Sequence, residues 1–369
     1  MWFDYCPTNY RRYPSHTLQR TSKFIDVTTD IWNTKESIIY NTPNSSIITD
    51  KMINYKERVD RKYKVIIENL ISNAREPITN ISKKIKLSKS STLNRLNNLI
   101  KEEIISKFVT VIDFKNLGYF TKIIFLKVNL TENILKELEN LDFYIGISTT
   151  SSFYNVTITV IAKDMNEFQE QLSKLYLITK YADIKVSTIS RYETPPYNLF
   201  GIKINQRKEK EDKQKTKVDK IDIQILECLE EEARIPASKI ANKLNVDSKT
   251  IINRMKKLKK EGIIKAYHTI FNSLRMGYSP YNIIFKIKRK EFVNKVYDFI
   301  KNESLCYLAA KLEGEYDLIG TFLFNDNNKI KGFLDKLHKM FKNIDIETEV
   351  TVLFEFRNKF LPNIVIKNL

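Results

Sequence analysis

From Ile221 onward apolar residues recur at helical spacing. Ile221, Ile225, Leu226 and Leu229 mark one amphipathic helix, and Pro236 restarts the chain into a second that carries Ile240, Ala241 and Leu244. Asn245-Val246-Asp247 makes a brief turn, after which the side-chain oxygen of Asp247 or Ser248 can cap a third helix from 249 to about 261. On that helix Ile251, Ile252, Met255 and Leu258 are expected on the buried face. Ser248, Lys249, Thr250, Asn253, Arg254, Lys256 and Lys257 are left for solvent or a partner. Three short helices with a tight turn before the third have helix-turn-helix spacing, and the β-like segment 263–269 that follows Gly262 reads as a wing. Beyond Gly277-Tyr278 the pattern changes to strand 281–288, helix 292–301, strands 305–311 and 316–324, helix 329–341 and strand 345–356, an order that predicts a ferredoxin-like βαββαβ domain. The last strand alternates, with Ile346, Val350, Val352, Phe354 and Phe356 on one face and Glu347, Glu349 and Glu355 on the other.

The same succession occurs earlier in the chain. Ala74-Arg75-Glu76-Pro77 answers Ala233-Arg234-Ile235-Pro236, Asn94-Arg95 answers Asn253-Arg254, Ile104-Ile105 answers Ile263-Ile264, and Gly118-Tyr119 answers Gly277-Tyr278, every pair 159 positions apart. Further on, Ile123-Ile124-Phe125 matches Ile283-Ile284-Phe285 at an offset of 160, and Asp183-Ile184 matches Asp345-Ile346 at 162, as loop insertions would produce. In the first copy Ile81 and Ile85 lie on the second helix. Ser88-Lys89-Ser90-Ser91-Thr92 opens the third, and Lys89, Ser90, Ser91, Asn94 and Arg95 are its candidate DNA contacts. Its charge is thinner, because Asn97, Asn98 and Ile100 stand where the second copy has Lys256, Lys257 and Lys259, although Lys101 remains.

The expected fold class is α+β, with two winged helix-turn-helix domains (61–118 and 219–277) alternating with two ferredoxin-like domains (119–197 and 278–360). An extension (1–60), a charged linker (198–218) and a short tail (361–369) complete the chain. In the extension, Tyr10-Arg11-Arg12-Tyr13 interleaves aromatics with arginines, a pattern suited to stacking and charge on nucleic acid and equally to an ordered cap or a flexible arm.

Composition sharpens this picture. The 369 residues carry 62 Lys and Arg against 44 Asp and Glu, a formal charge of +18 that favours a polyanionic partner. Cys6, Cys228 and Cys306 show no paired spacing, so neither a disulfide framework nor a zinc site is expected, and a cytoplasmic location fits. No apolar stretch of membrane-spanning length occurs. His16, His268 and His338 fall outside metal-site spacing, and 8 glycines form no phosphate-cradling pattern, so no enzyme activity, cofactor or metal is expected.

A basic third helix, a following strand and a βαββαβ domain carrying Glu313-Gly314-Glu315-Tyr316-Asp317 together resemble the Lrp/AsnC family of transcription regulators, in both halves of the chain. The resemblance implies sequence-specific binding of double-stranded DNA. It also implies an amino acid or related effector near Gly314, Tyr316 and Asp317. The same residues suit a tight turn, with Gly314 supplying positive φ and Asp317 a backbone hydrogen bond. In the first copy these positions are Ser152, Tyr154 and Asn155. Because members of the family form two-fold dimers, a chain with two units is expected to fold as an intramolecular pseudo-dimer, its α/β domains face to face, with further homo-oligomers compatible. Two other readings fit parts of the pattern: a siroheme decarboxylase-like enzyme of related fold, and a general DNA-coating architectural protein.

Overall fold

The computed structural model describes residues 60–194 and 218–367. The Tyr10–Tyr13 motif, His16, Cys6 and the charged run 207–215 lie outside the described residues. In the first copy the elements are α1 (Arg61–Ser72), α2 (Ile78–Ile85), α3 (Lys89–Lys101), β1 (Ile105–Ile112), β2 (Phe120–Lys127), α4 (Glu132–Glu139), β3 (Tyr144–Thr150), β4 (Val156–Ala162), α5 (Met165–Ile178) and β5 (Asp183–Glu193). The second copy repeats them as α6 (Lys220–Glu231), α7 (Ala237–Leu244), α8 (Ser248–Lys260), β6 (Ile264–Phe271), β7 (Ser279–Ile287), α9 (Val293–Lys301), β8 (Cys306–Gly314), β9 (Leu318–Phe324), α10 (Asn327–Met340) and β10 (Ile346–Asn358), followed by α11 (Asn363–Lys367). Among these residues no helix is long and apolar enough to cross a membrane.

Each copy has the ferredoxin-like strand order, and the two sheets then close on each other. The ladder β10-β3-β4-β2-β5-β8-β9-β7 is an eight-stranded closed barrel in which β5 pairs with β8 and β10 with β3, so both seams join one copy to the other. Closure leaves this eight-stranded sheet without an edge, which removes from it the usual template for edge-to-edge association. The barrel interior holds Ile123, Phe125 and Tyr154 from the first copy with Ile284, Ala310, Leu312 and Ile319 from the second. The expected face-to-face approach is therefore present, with hydrogen-bonded seams added to it.

These inward-facing residues correct one alignment. Phe125 and Ile284 both point inside, whereas Ile124 and Ile283 pack under the helices of their own sheets. The copies therefore keep the offset of 159 through β2 and β7, and the match at 160 slips by one. In a strand a slip of one residue would send every side chain to the wrong face. The alternation expected of the last strand also breaks, because β10 shifts register between Leu353 and Glu355 as it passes from β7 to β3. Phe356 is exposed beyond that shift.

The strands expected as wings pair with each other. β1 and β6 form a two-stranded antiparallel ribbon in which Val109 lies opposite His268, its own equivalent, and Thr110 opposite Tyr267. Equivalent residues facing one another place an approximate two-fold axis through that pair. Reciprocal bonds follow the axis: Thr110 Oγ1 donates to Leu229 O at 3.1 Å and Thr269 Oγ1 to Leu70 O at 2.9 Å. A lone strand after a helix-turn-helix has unmet backbone groups on both edges, and its symmetry mate satisfies one of them.

The helix-turn-helix units cross over. The core of α6–α8 is continuous with the helix-covered side of the first copy's sheet, through Ile112, Phe114, Leu361 and Val365. The core of α1–α3 packs with Phe271, Met276, Tyr278 and Leu323 of the second copy. Each full burial of such a side chain contributes about 1.5–3 kcal/mol, so the copies are held together by core packing as well as by the seams.

His268 at the axis is half-buried, and burial, followed by the nearby charge of Lys265, lowers its pKa to about 4. A folded value below the unfolded one means that the unfolded chain binds the extra proton between about pH 6.5 and 4, so stability falls as pH drops through that window. We expect a loss of about 2 kcal/mol between pH 7 and pH 5. His268→Val, which copies Val109, should flatten the urea midpoint against pH, and an unchanged pH slope in that variant would refute the assignment.

Candidate nucleic-acid interface

The third helices α3 and α8 begin with side-chain caps. Asp247 accepts from the N–H groups of Lys249 at 2.7 Å and Thr250 at 3.1 Å, and Ser88 accepts from Ser91 N–H at 3.0 Å. The caps fix the first turns and aim the following side chains outward. On α8 Lys249, Thr250, Asn253, Lys256 and Lys257 are exposed and Ser248 is half-buried, while Ile251 and Leu258 anchor the inner face. On α3 Lys89, Ser90, Ser91 and Asn94 are exposed over buried Thr92, Leu96 and Leu99. An exposed row of Lys, Ser, Thr and Asn can bond phosphates and base edges.

Ile252 corrects the expected buried face, since it is 42% exposed, as is its equivalent Leu93. Both stand on the flank of the helix that turns away from its core contacts. The periodicity allowed for a wider apolar stripe than two packed helices cover. Ile252 lines a shallow recess with Arg75, Ala237, Met255, Lys256, Lys259 and Tyr267, where an apolar side chain beside lysines suits contact with a thymine methyl.

Arg254 and Arg95 serve the fold as well as the surface. Arg254 reaches Asp219 Oδ2 at 2.7 Å and Asp222 Oδ1 at 2.9 Å, and the Asp222 side chain is only 1% exposed. Asp219 and Asp222 form the capping box of α6, so Arg254 ties the third helix to the start of the first. Burial acts to raise the Asp219 carboxyl, and the Asp222 N–H together with the Arg254 guanidinium outweighs it and holds the group below its ordinary value. Lys257 stands 3.9 Å from Asp222 Oδ2. In the first copy Arg95 pairs with Asp60 at 2.8 Å and lies over the Tyr63 ring at 4.6 Å.

Arg75 and Arg234 stand out in the sequence only as marks of the repeat, yet in the structure they join the two helix-turn-helix units. Arg75 Nη1 donates to Ala233 O at 2.5 Å and to Ile235 O at 3.0 Å. Arg234 donates reciprocally to Ala74 O and, at 3.3 Å, to Glu76 O. Each guanidinium also covers an aromatic ring of the ribbon, Arg75 that of Tyr267 and Arg234 that of Phe108. This reciprocal lock, together with the β1–β6 ribbon, connects the units that carry α3 and α8.

The turn at 314–317 is occupied by the protein's own groups. Gly314 has φ +145°, and a Cβ there would lie 2.8 Å from Val186 O across the seam, so only glycine fits. Asp317 accepts from Ile287 N–H at 2.7 Å and from Lys290 Nζ at 2.5 Å. Asn155 does the same in the first copy, taking Val128 N–H at 3.0 Å. The ring of Tyr316 packs edge-on against Phe125 with 5.0 Å between centroids, and Lys185 lies 5.7 Å above it.

A family model described as winged helix-turn-helix DNA-binding matches residues 218–265. An uncharacterised HTH-type transcriptional regulator of Pyrococcus furiosus is 30% identical over 117 residues, covering 32% of this chain and 79% of its own length. The transcriptional regulator AzlB of Bacillus subtilis is 32% identical over 118 residues, 30% of this chain and 74% of AzlB. A third relative, an uncharacterised HTH-type transcriptional regulator of Pyrococcus abyssi, is 28% identical over 142 residues, 38% of this chain and 95% of its own. Each is therefore matched along most of its length by about a third of this chain, as a chain with two copies of the unit requires. Among solved structures the siroheme decarboxylase NirDL superposes with a TM-score of 0.56 at 13% identity, over 84% of this chain and 98% of NirDL. That likeness is one of fold.

Proposed function

Because the chain belongs to the Lrp/AsnC family of transcription regulators, we propose that its two helix-turn-helix units read one asymmetric site on double-stranded DNA, as an intramolecular pseudo-dimer. The protein is a sequence-specific DNA-binding regulator. The observation that carries the proposal is the pair of exposed third helices related by the axis through Val109 and His268. In helix-turn-helix proteins a two-fold pair of such helices addresses related half-sites in the major groove, where helix N-terminal residues meet base edges. Within this reading the units are 61–118 and 219–277, each followed by its α/β domain at 119–197 and 278–360.

The copies differ in charge where they would meet phosphate. Lys249, Lys256 and Lys257 supply the second helix, whereas Asn97 and Asn98 replace the last two in the first, leaving Lys89 and Lys101. Each lost phosphate contact lowers the dependence of log K on log salt by about 0.9. Lys249→Ala with Lys256→Ala is therefore expected to reduce the slope by about 1.8. Asn97→Lys with Asn98→Lys should raise affinity. The measurement is fluorescence anisotropy at several salt concentrations, on sequences enriched from a random pool. Enrichment of no sequence would favour the architectural reading, and an unchanged slope would remove α8 from the interface.

Control by an amino acid at the turn around Gly314, Tyr316 and Asp317 remains part of the proposal. Since the Asp317 carboxylate is engaged by Ile287 and Lys290, an effector would meet the Tyr316 ring and the backbone there. The same anisotropy titration with and without millimolar amino acids tests it.

A further inference from the structure

The two seams of the barrel occupy equivalent positions with their charges inverted. Glu193 on β5 stands opposite Ala309, and Arg357 on β10 stands opposite Ile147. Ala309 and Ile147 are themselves equivalent, each paired with the third residue of the third strand of its sheet, Gly320 and Ile158. Around them the first copy reads Arg191-Tyr192-Glu193 and the second Glu355-Phe356-Arg357, each an aromatic residue between two charges whose signs are exchanged.

Each triplet faces the last residue of a helix on the other copy, and those residues are inverted too. Glu193 lies 3.6 Å from Lys301 at the end of α9, with side chains 20% and 21% exposed. Arg357 pairs with Glu139 at the end of α4. Both seams thus join an acid of the first copy to a base of the second. Two further pairs between the copies have the same sense, Glu103 with Arg275 beside the β1–β6 ribbon and Asp142 with Lys367 at 2.7 Å. Lys185 with Glu315, at 3.0 Å, runs the other way.

We infer that this inversion is a pairing code: it lets the first copy close only with a second copy and rejects closure of either copy with its own kind. A barrel made from two first copies would bring Glu193 against Glu139 at both seams, and one made from two second copies would bring Arg357 against Lys301. Partly buried like charges at a seam disfavour the wrong partner far more than one exposed pair favours the right one. Two units whose sheets share one strand order need such a distinction, because their backbones match. A duplicated chain without it could join copies from different molecules in mixed combinations.

The test uses full-length chains and rests on stability and mass, so its failure and that of the DNA reading are separate outcomes. Lys301→Glu with Arg357→Glu makes both seams acidic and should lower the thermal midpoint by about 5–10 °C. Glu139→Arg with Glu193→Lys makes them basic, with a similar loss. The quadruple variant restores opposite charges in reversed sense and should regain most of the midpoint, a result that holds even where a double variant fails to fold. Mixing the acidic and basic double variants should produce a 1:1 assembly of two chains by native mass spectrometry that neither forms alone. Additive losses in the quadruple variant, or no preference for mixed assembly, would overturn the inference.

Discussion

Arg254→Ala is expected to destabilise the second helix-turn-helix by about 3–5 kcal/mol, well beyond the loss of one surface contact. The Asp222 side chain is 1% exposed and receives the guanidinium at 2.9 Å, so truncation leaves a buried carboxylate without its main partner. Lys257, 3.9 Å away, compensates in part and sets the effect toward the lower end. The matching Arg95→Ala should cost about 1 kcal/mol or less, because Asp60 is 48% exposed and Tyr63 contributes only a cation–π contact. Asp222→Asn added to Arg254→Ala removes the unpaired charge and should recover a large part of the loss. Urea denaturation of the four proteins decides the matter. A wild-type midpoint in Arg254→Ala together with weakened DNA binding would show a groove contact with no role as a clamp. Conversely, weakened DNA binding that follows stability across the series assigns it to the fold.

This clamp also shows what the chain's pattern could reveal. The three helices and the βαββαβ order were legible because each leaves its own period on local sequence, and caps such as Asp247 announced the helix starts. Partners in space leave no such period. β1 and β6 read as wings, since nothing in Ile105–Ile112 or Ile264–Phe271 states which strand lies beside them. The offset of 160 through β2 followed a run of similar apolar residues, although alternate members of that run face different cores. The clamp made by Arg254 was not legible, because an arginine on a basic helix face carries the same letter whether it meets phosphate or carboxylate. A signal was nevertheless present: Asp60 and Arg95 recur as Asp219 and Arg254 at one common offset, and a charge pair kept together in both copies points to an internal bond.

The double variant Arg75→Ala with Arg234→Ala should separate the two helix-turn-helix units while leaving the barrel closed. Each guanidinium donates to backbone carbonyls of the opposite loop, and a hydrogen bond from a charged donor contributes about 1.5–3 kcal/mol. Four such bonds would sum to about 6–12 kcal/mol, and because the freed carbonyls can turn to water the loss across the junction should be about 4–6 kcal/mol. Part is offset, because burial lowers the pKa of both groups and Arg75 lowers that of Arg234 further, a repulsion that the variant relieves. The ribbon bonds of Thr110 and Thr269 and the barrel seams are independent of these side chains, so the chain should stay folded with α3 and α8 no longer held at one spacing. DNA binding reports this most directly. A wild-type protein with locked units should lose affinity steeply when a base pair or two is inserted between half-sites, because each insertion rotates one half-site around the helix axis. The double variant should bind the original site at least tenfold more weakly and tolerate the insertions almost equally. Retention of the wild-type spacing preference would place the ruler in the β1–β6 ribbon alone and remove Arg75 and Arg234 from it.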